Sequence, residues 1–267
     1  MAVGLGILTW GHVCRAAFEL NVAAPRATAM GGAGVALSDD VLGILRNPAL
    51  SAWGRTGAGF DWSEQFGLPE LAREAVGARF LIKGQPFSVH GGSLGNDLYR
   101  ESDFSVGISR AVRPEVAVGI DVGGRWLDLR GYSVGRALAI SAGVVARPVS
   151  SVAIGAVWTN ANAPKLSGFM DRLPESLTVG IAATIARNGV IVADIVQEKS
   201  FPAEFRLGAE MRVLPGFYLR VGGRAEPVRP SAGFQVDIRR WAFSYAGDLH
   251  PDLGASHEVG LEYRFGP

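Results

Sequence analysis

The sequence has little of what several common protein classes require: one cysteine, three lysines, almost no net charge and no long apolar run. The lone cysteine, Cys14, excludes a disulfide framework and a zinc site built from thiolates. The most apolar stretches, residues 138–146 and 179–186, are shorter than the ~20 residues of a membrane-spanning helix, so a helical membrane protein is excluded. Because 26 basic residues are matched by 25 acidic ones, the chain carries no general electrostatic footprint for nucleic acid.

What the sequence does contain is glycine and apolar side chains. Of its 267 residues 36 are glycine, about twice the usual share, while hydrophobic residues make up 48% and charged residues 19%. A chain this apolar buries enough surface to offset the entropy of ordering it, which excludes disorder. A glycine-rich, apolar chain without spanning helices indicates either a large soluble β protein or a membrane barrel.

The N-terminal residues 1–17 are apolar and end in small residues, as a secretory signal peptide does. Cys14, Arg15 and Ala16 fit a signal-peptidase site, because small residues stand at both key positions. No positively charged stretch precedes the apolar segment, and the alternative is a buried first strand. We predict a signal peptide over residues 1–17.

From about residue 55 onward, apolar residues alternate with polar or small ones, the pattern of strands with two different faces. The clearest example is residues 205–213, and the last such stretch is 258–265. Along residues 205–213, one face carries Phe205, Leu207, Ala209, Met211 and Val213, and the other carries Arg206, Gly208, Glu210 and Arg212. Alternation alone does not separate a membrane barrel from a soluble sandwich, because both have one apolar face.

The connections between the alternating stretches favour the barrel. Short turns are predicted near 83–86, 113–115, 147–150, 187–189, 213–216 and 237–240, and longer polar loops at 64–75, 94–102, 125–135, 160–175, 197–203, 224–231 and 247–257. Short and long connections then alternate strictly, as they do in a barrel whose short turns face the periplasm. The count predicts about fourteen strands, with both termini on the periplasmic side.

The last alternating stretch ends in an aromatic residue. Residues 260–265 read GLEYRF, the form of a final strand whose Tyr263 and Phe265 signal the barrel-assembly machinery. The alternative is an ordinary edge strand, but an exposed edge with this apolar face invites aggregation unless a barrel closes it. We therefore predict an all-β, transmembrane antiparallel barrel in the cell outer membrane, in contact with outer-membrane lipid.

Two segments resemble a known family. Residues 27–50, ATAMGGAGVALSDDVLGILRNPAL, are similar to the plug of the FadL-type and PorV/PorQ outer-membrane proteins, with a glycine-rich opening, an acidic step and an Asn-Pro-Ala triplet. Residues 245–265, YAGDLHPDLGASHEVGLEYRF, resemble the ending of the same family. The resemblance extends over nearly the whole chain, and these two ends carry most of its specificity.

The resemblance implies a fourteen-stranded barrel, residues 54–267, with residues 18–53 as a periplasmic or lumenal plug (hatch). The plug and gate residues it implies are Gly31, Gly32, Gly34, Asp39, Asp40, Asn47, Pro48 and Ala49. A plug also agrees with physical reasoning, because fourteen strands enclose more lumen than side chains fill. Inward-facing glycines would let its backbone approach the wall closely; they are Gly107, Gly119, Gly143, Gly155, Gly180 and Gly208.

Polar residues on the inward faces are expected to play structural roles first. We expect them to pair with one another or with Asp39 and Asp40 of the plug. They are Arg206, Glu210, Arg212, Glu258, Glu262 and Arg264.

The sequence contains no convincing motif for catalysis, cofactor binding or metal binding. The glycines of 31–34 do not form a dinucleotide fingerprint, because no strand–helix–strand alternation surrounds them. His250 and His257 have loose metal-ligand character, but the proline loop between them has a structural explanation. Ser88 and His90 share a strand face, yet no third orienting group or oxyanion site accompanies them. We predict no catalytic residue, no metal and no cofactor.

Three functions are compatible with the sequence. The first is passive transport of small hydrophobic molecules with the plug as gate, for which an apolar groove would be formed by Phe66, Leu68, Leu71, Leu166, Phe169 and Met170. The second, also from the resemblance, is an accessory of a type IX protein secretion system that binds secretion-system proteins. The third is an outer-membrane hydrolase. A continuous apolar cavity favours the first, an exposed apolar loop patch the second, and a rim Ser–His–acid cluster the third.

Overall fold

The computed structural model describes residues 17–18, 24–132, 134–169, 172–199, 201–225 and 227–266. These residues contain fourteen strands, each hydrogen-bonded antiparallel to its sequence neighbours, and the first strand pairs with the last to close a barrel. The strands are β1 (Gly57–Gln65), β2 (Leu68–Ile82), β3 (Gln85–Gly95), β4 (Tyr99–Arg113), β5 (Val116–Leu129), β6 (Gly135–Val149), β7 (Val152–Thr159), β8 (Ser176–Ile185), β9 (Gly189–Glu198), β10 (Glu204–Leu214), β11 (Phe217–Arg224), β12 (Arg229–Ile238), β13 (Trp241–His250) and β14 (Gly254–Arg264). The predicted all-β antiparallel barrel and its strand count are confirmed.

The two faces of each strand differ as the alternation predicted. On β10, Phe205 and Leu207 are 58% and 59% exposed, whereas Arg206 and Glu210 on the other face are buried. The same difference recurs around the wall, with Val, Ile, Leu and Phe outside and Gly, Ser, Asp and Arg inside. An outer surface this apolar far exceeds the patches of soluble monomers and is typical of a barrel surrounded by lipid.

The connections correct one prediction. The turns at one end are short, at 83–84, 114–115, 150–151, 186–188, 215–216 and 239–240. Those at the other end are not uniformly long, because within the described residues they run from the two-residue turn 66–67 to the segment 160–175. Strict alternation of short and long connections is therefore wrong. We call the two ends the short-turn end and the long-connection end.

The expected loop 64–75 shows why that prediction failed. Phe66 and Gly67 have φ of 57° and 67°, and this left-handed pair closes a tight hairpin between β1 and β2. Residues 68–75 then continue as strand. Their polar composition indicated a loop, but strands that extend beyond the apolar belt of a barrel are polar as well.

Residues 24–53 contain little regular structure and are almost entirely buried. They include a short helix, α1 (Pro25–Ala29), and two 3-10 turns, Leu42–Leu45 and Pro48–Ala52. Met30 and Asn47 have no exposed surface. Helix α1 packs against β11 to β14, and the second 3-10 turn packs against β3 to β6, so the segment contacts opposite arcs of the wall. We call residues 24–53 the N-terminal segment.

Some predicted features lie outside the described residues. These are nearly all of the signal peptide 1–17, with Cys14 in it, and Met170. In the part of the chain that is described, no helix is both long and apolar enough to span a membrane.

Candidate functional site

The N-terminal segment meets the barrel wall at glycines whose missing side chains make room for its backbone. A Cβ on Gly222 would lie 2.5 Å from Gly31 N, and one on Gly155 would lie 2.7 Å from Val35 O. Both separations are far below ordinary van der Waals contact. Of the six inward-facing glycines named from the sequence, Gly119, Gly143, Gly155 and Gly208 contact this segment, while Gly107 and Gly180 face side chains of the wall.

Asn47 joins two stretches of the segment to the wall. Its Oδ1 accepts a hydrogen bond of 3.0 Å from Ala49 N and so caps the 3-10 turn that Pro48 begins. Its Nδ2 donates to Val35 O at 3.0 Å, within the segment, and lies 3.3 Å from Ala156 O on β7. An apolar residue at this fully buried position would remove these hydrogen bonds.

The glycines at the start of the segment turn its backbone towards the wall. Gly31, Gly32 and Gly34 have φ of 69°, 81° and 130°, in the region that favours glycine. After this turn, the amides of Gly34 and Val35 both donate to Asp194 Oδ2, at 2.7 and 2.9 Å. Asp194 was not singled out in the sequence. The available signal was a single carboxylate in the apolar strand IVADIV, residues 191–196.

An ion cluster that is buried at Arg26, Glu210 and Arg220 links the segment to the wall. Arg26 on α1 donates to Glu210 on β10 at 2.8 and 2.9 Å, and Glu210 also accepts from Arg220 on β11 at 2.7 Å. Arg26 pairs in addition with Asp39. We call Arg26, Glu210, Arg220 and Asp39 the segment–wall ion cluster. One side chain of the segment thus lies between two acidic groups from distant parts of the chain.

The charges around Arg26 stabilise its ionised form. Burial alone would lower the pKa of Arg26, but Asp39, Glu210 and Asp40 raise it well above the ordinary value. The Asp39 side chain is 60% exposed, and the Arg26 guanidinium beside it lowers the Asp39 pKa to about 2. The pairing therefore persists at all physiological pH values.

Asp39 and Asp40 find partners within the segment itself. Asp39 pairs with Arg26, and Asp40 accepts from Arg46 at 2.8 and 2.9 Å. Of the six inward polar residues named from the sequence, Glu210 pairs with Arg26 of the segment. Three of the other five contact backbone atoms of the segment: Arg206 reaches Gly32 O at 3.3 Å, Glu258 accepts from Ala24 N at 3.0 Å, and Glu262 accepts from Leu42 N at 3.1 Å. The remaining contacts lie within the wall, where Arg206 pairs with Glu204, Arg212 contacts Asn188, and Arg264 pairs with Asp237.

Of the six residues expected to form an apolar groove, the five that the structure describes do not all come together. Leu166 packs with Leu127, Ala139 and Leu173 in a cluster at the long-connection end, and Phe169 lies against it. We call these five residues the rim cluster. Phe66 instead stacks edge-on against His250, with ring centroids 5.7 Å apart, while Leu68 and Leu71 lie on β2.

The aromatic residues of the last strand face outward. Tyr263 lies 4.6 Å from Trp241 and 5.8 Å from Phe265, measured between ring centroids. Phe265 follows β14 directly, and its amide donates to Thr56 O at 2.9 Å. The two side chains form part of an aromatic patch at the short-turn end, where β1 and β14 close the barrel.

Two of the histidines considered for chemistry, His250 and His257, have structural partners, whereas the buried Nδ1 of His90 has no hydrogen-bond partner among the described residues. His250 Nδ1 accepts the amides of Asp252 and Leu253 in the turn before β14, and His257 Nδ1 lies 2.7 Å from Tyr245 Oη. Across the described residues, no group of three or more histidine, cysteine or acidic side chains is placed to hold a metal ion.

No known family profile and no curated protein matches the sequence, but solved structures match its fold. The toluene transporter TodX of Pseudomonas putida aligns with a TM-score of 0.67 at 11% identity, over 92% of this chain and 97% of that chain. The CymD monoaromatic hydrocarbon channel gives 0.65 at 13% identity, over 91% and 97%. A Pseudomonas aeruginosa FadL homologue gives 0.64 at 10% identity, over 93% and 100%. The chain therefore has the fold of a FadL-type outer-membrane barrel.

Proposed function

We propose that this protein is a passive channel of the outer membrane for small hydrophobic molecules, with the N-terminal segment acting as a hatch that closes the lumen. Three observations support the proposal: the closed barrel, its apolar outer surface, and the likeness in fold to channels for toluene and monoaromatic hydrocarbons. A barrel of this size encloses more lumen than its own side chains fill.

The observation that carries the hatch is the set of close approaches between the backbone or side chains of the segment and inward-facing glycines of the wall. These contacts occur on eight strands spaced around the wall, which supports a segment that crosses the lumen rather than lining one side. They join Pro25 to Gly260 on β14, Ala29 to Gly233 on β12, Met30 to Gly208 on β10, Val35 to Gly155 on β7, Asn47 to Gly143 on β6, Pro48 to Gly119 on β5, and Leu42 to Gly77 on β2 and Gly59 on β1.

The segment–wall ion cluster supplies a latch for this hatch. A buried ion pair adds little net stability, because both charges are removed from water, but removing one partner leaves the other uncompensated. Displacement of the whole segment would separate Arg26 from Glu210 and admit water to both. Such a latch holds the segment in the closed position. A ligand that binds more tightly when the segment is displaced would shift the protein towards the open state.

The rim cluster is the access point that we propose for a hydrophobic ligand. Leu127, Ala139, Leu166 and Leu173 are buried, and Phe169 covers them at the long-connection end. In outer-membrane barrels the longer connections face outward from the cell and the short turns face the periplasm. By that rule the rim cluster faces the exterior, and both chain termini lie on the periplasmic side.

Deletion of residues 24–53 tests the hatch. Strand pairing does not depend on this segment, so the variant should still fold into a barrel that migrates faster on gels unheated than boiled. It should conduct ions in a planar bilayer, whereas the intact protein stays nearly closed. A folded deletion variant that remains as closed as its parent would contradict the hatch.

A protein-binding role in a type IX secretion system is the second candidate. It is favoured by exposed apolar side chains at the long-connection end, where Tyr132 is 80% exposed and Leu98 is 63% exposed. Their connections are adjacent, since Arg130 N donates to Leu98 O at 3.0 Å. A strain lacking the protein would then fail to export a cargo protein while its uptake of toluene stayed normal. The opposite pair of results supports the channel.

A further inference from the structure

A small polar cavity lies between the N-terminal segment and the long-connection end. Its volume is about 40 Å³, and residues of β1, β2 and β11 to β14 surround it. Thr28 and Gly32 of the segment lie at its inner boundary. The rim cluster contributes none of its lining, so this cavity is separate from the apolar access point proposed above.

Three arginines converge on this cavity: Arg73 from β2, Arg224 from β11 and Arg229 from β12. Arg229 donates to Asp248 Oδ2, and Arg224 Nη2 lies 3.7 Å from the same oxygen. One carboxylate thus serves two guanidinium groups. Among the described residues of the lining, the only other acidic group is Glu258, which already accepts the Ala24 amide at 3.0 Å.

Two of these arginines have N–H groups without a hydrogen-bond acceptor among the residues that the structure describes. Arg229 Nε is buried and has no hydrogen-bond partner within the described residues. Arg73 is half-buried and forms none of the hydrogen bonds or ion pairs found in the described part of the chain. Unsatisfied buried donors are costly, and an anion with two or more oxygens satisfies guanidinium groups with good geometry.

We propose that this cavity, formed by Arg73, Arg224 and Arg229, binds a small water-soluble anion that presents carboxylate or phosphate oxygens. The size agrees with this class, because a cavity of about 40 Å³ holds roughly three water-sized centres, enough for the head of such an anion. The described lining of the cavity contains no apolar side chain against which an alkyl tail could pack. Arginine is suited to the task because its planar fork matches carboxylate and phosphate oxygens.

Calorimetric titration of the purified full-length protein in detergent, with inorganic phosphate and with acetate, tests the site. Arg73→Gln and Arg229→Gln should each weaken binding about tenfold. Asp248→Asn should strengthen binding several-fold, because it removes the carboxylate that competes with the anion. Arg73→Gln is the safer variant for folding, since it breaks no ion pair found in the described residues.

Arg212→Gln is the matched control. It removes the same charge from an inward-facing position, but at the short-turn end beside Asn188 and away from the cavity. It should leave binding unchanged. If Arg212→Gln weakened anion binding as much as the cavity variants do, the effect would come from the net charge of the protein, and the proposed site would be overturned. Three other results would also overturn the proposed site: no binding at millimolar anion, weaker binding in Asp248→Asn, or binding of decanoate more than tenfold tighter than that of acetate. Because the assay measures binding to the closed protein, its outcome does not depend on whether the channel transports hydrophobic molecules.

Discussion

Adding one methyl group to the barrel wall should unseat the N-terminal segment. In Gly222→Ala, the new Cβ would lie 2.5 Å from Gly31 N and from Met30 Cα, and still closer to the Met30 carbonyl carbon. Ordinary contact requires 3.5–4.0 Å, so the segment would have to move by about 1 Å. All three of these atoms belong to the backbone, so a change of side-chain rotamer does not relieve the clash.

The magnitude follows from the cost of overpacking a close-packed interior, about 1–3 kcal/mol. If the clash exists only while the segment is seated, this cost raises the ratio of open to closed channels by about 5-fold to 150-fold, at about 1.4 kcal/mol per factor of ten. Planar-bilayer recordings measure that ratio directly. Limited trypsin cleavage after Arg26, a buried residue of the segment, provides a second readout.

Gly247→Ala on β13 is the control. Its new Cβ would lie 3.6 Å from Ser256 O and from Tyr245 Oη, which is ordinary contact, so neither conductance nor cleavage should change. Both variants should keep the heat-dependent gel mobility of a folded barrel. If Gly222→Ala folds and is as closed and as protected as the parent, the close backbone packing does not hold the segment, and the reasoning fails.

Three further tests probe the latch, assembly and ligand access. Glu210→Gln should raise open probability more than Arg26→Gln, because it leaves the guanidinium groups of Arg26 and Arg220 facing each other without their shared carboxylate; equal effects in bilayer recordings would argue against the latch. Phe265→Asp should sharply reduce the heat-modifiable protein recovered in outer membranes, while Phe265→Trp should not; similar recovery of both would count against an assembly signal. Under the proposed channel function, Phe169→Ser should slow uptake of toluene several-fold without changing ion conductance, and unchanged uptake would remove the rim cluster from the proposed path.

The sequence alone was sufficient for the architecture of the wall. Period-two alternation predicts which side chains face each way, because successive residues of any strand point to opposite faces. The strand count followed from counting turns. The lengths of the connections could not be predicted in the same way, because residues 68–75 form a polar part of a strand beyond the apolar belt and have the composition of a loop.

Local chemistry of the N-terminal segment was also predictable in part. The turn at Asn47 and Pro48 is encoded by proline's fixed φ and by the side chain that caps the turn, both properties of adjacent residues. The glycines of 31–34 likewise adopt the backbone angles that only their lack of Cβ makes inexpensive. These features need no partner from elsewhere in the chain.

Only the tertiary structure decided which distant groups meet. Arg26 and Glu210 are separated by 184 positions, and the closing of the sheet into a barrel brings β10 next to α1. The same closure separates Phe66 from Leu166, because the β1–β2 turn and the β7–β8 connection lie on different arcs of the rim. It also gathers Arg73, Arg224 and Arg229 around one cavity. The periodicity of a strand determines the face on which a residue lies, whereas its neighbours across the lumen depend on the curvature and closure of the whole sheet.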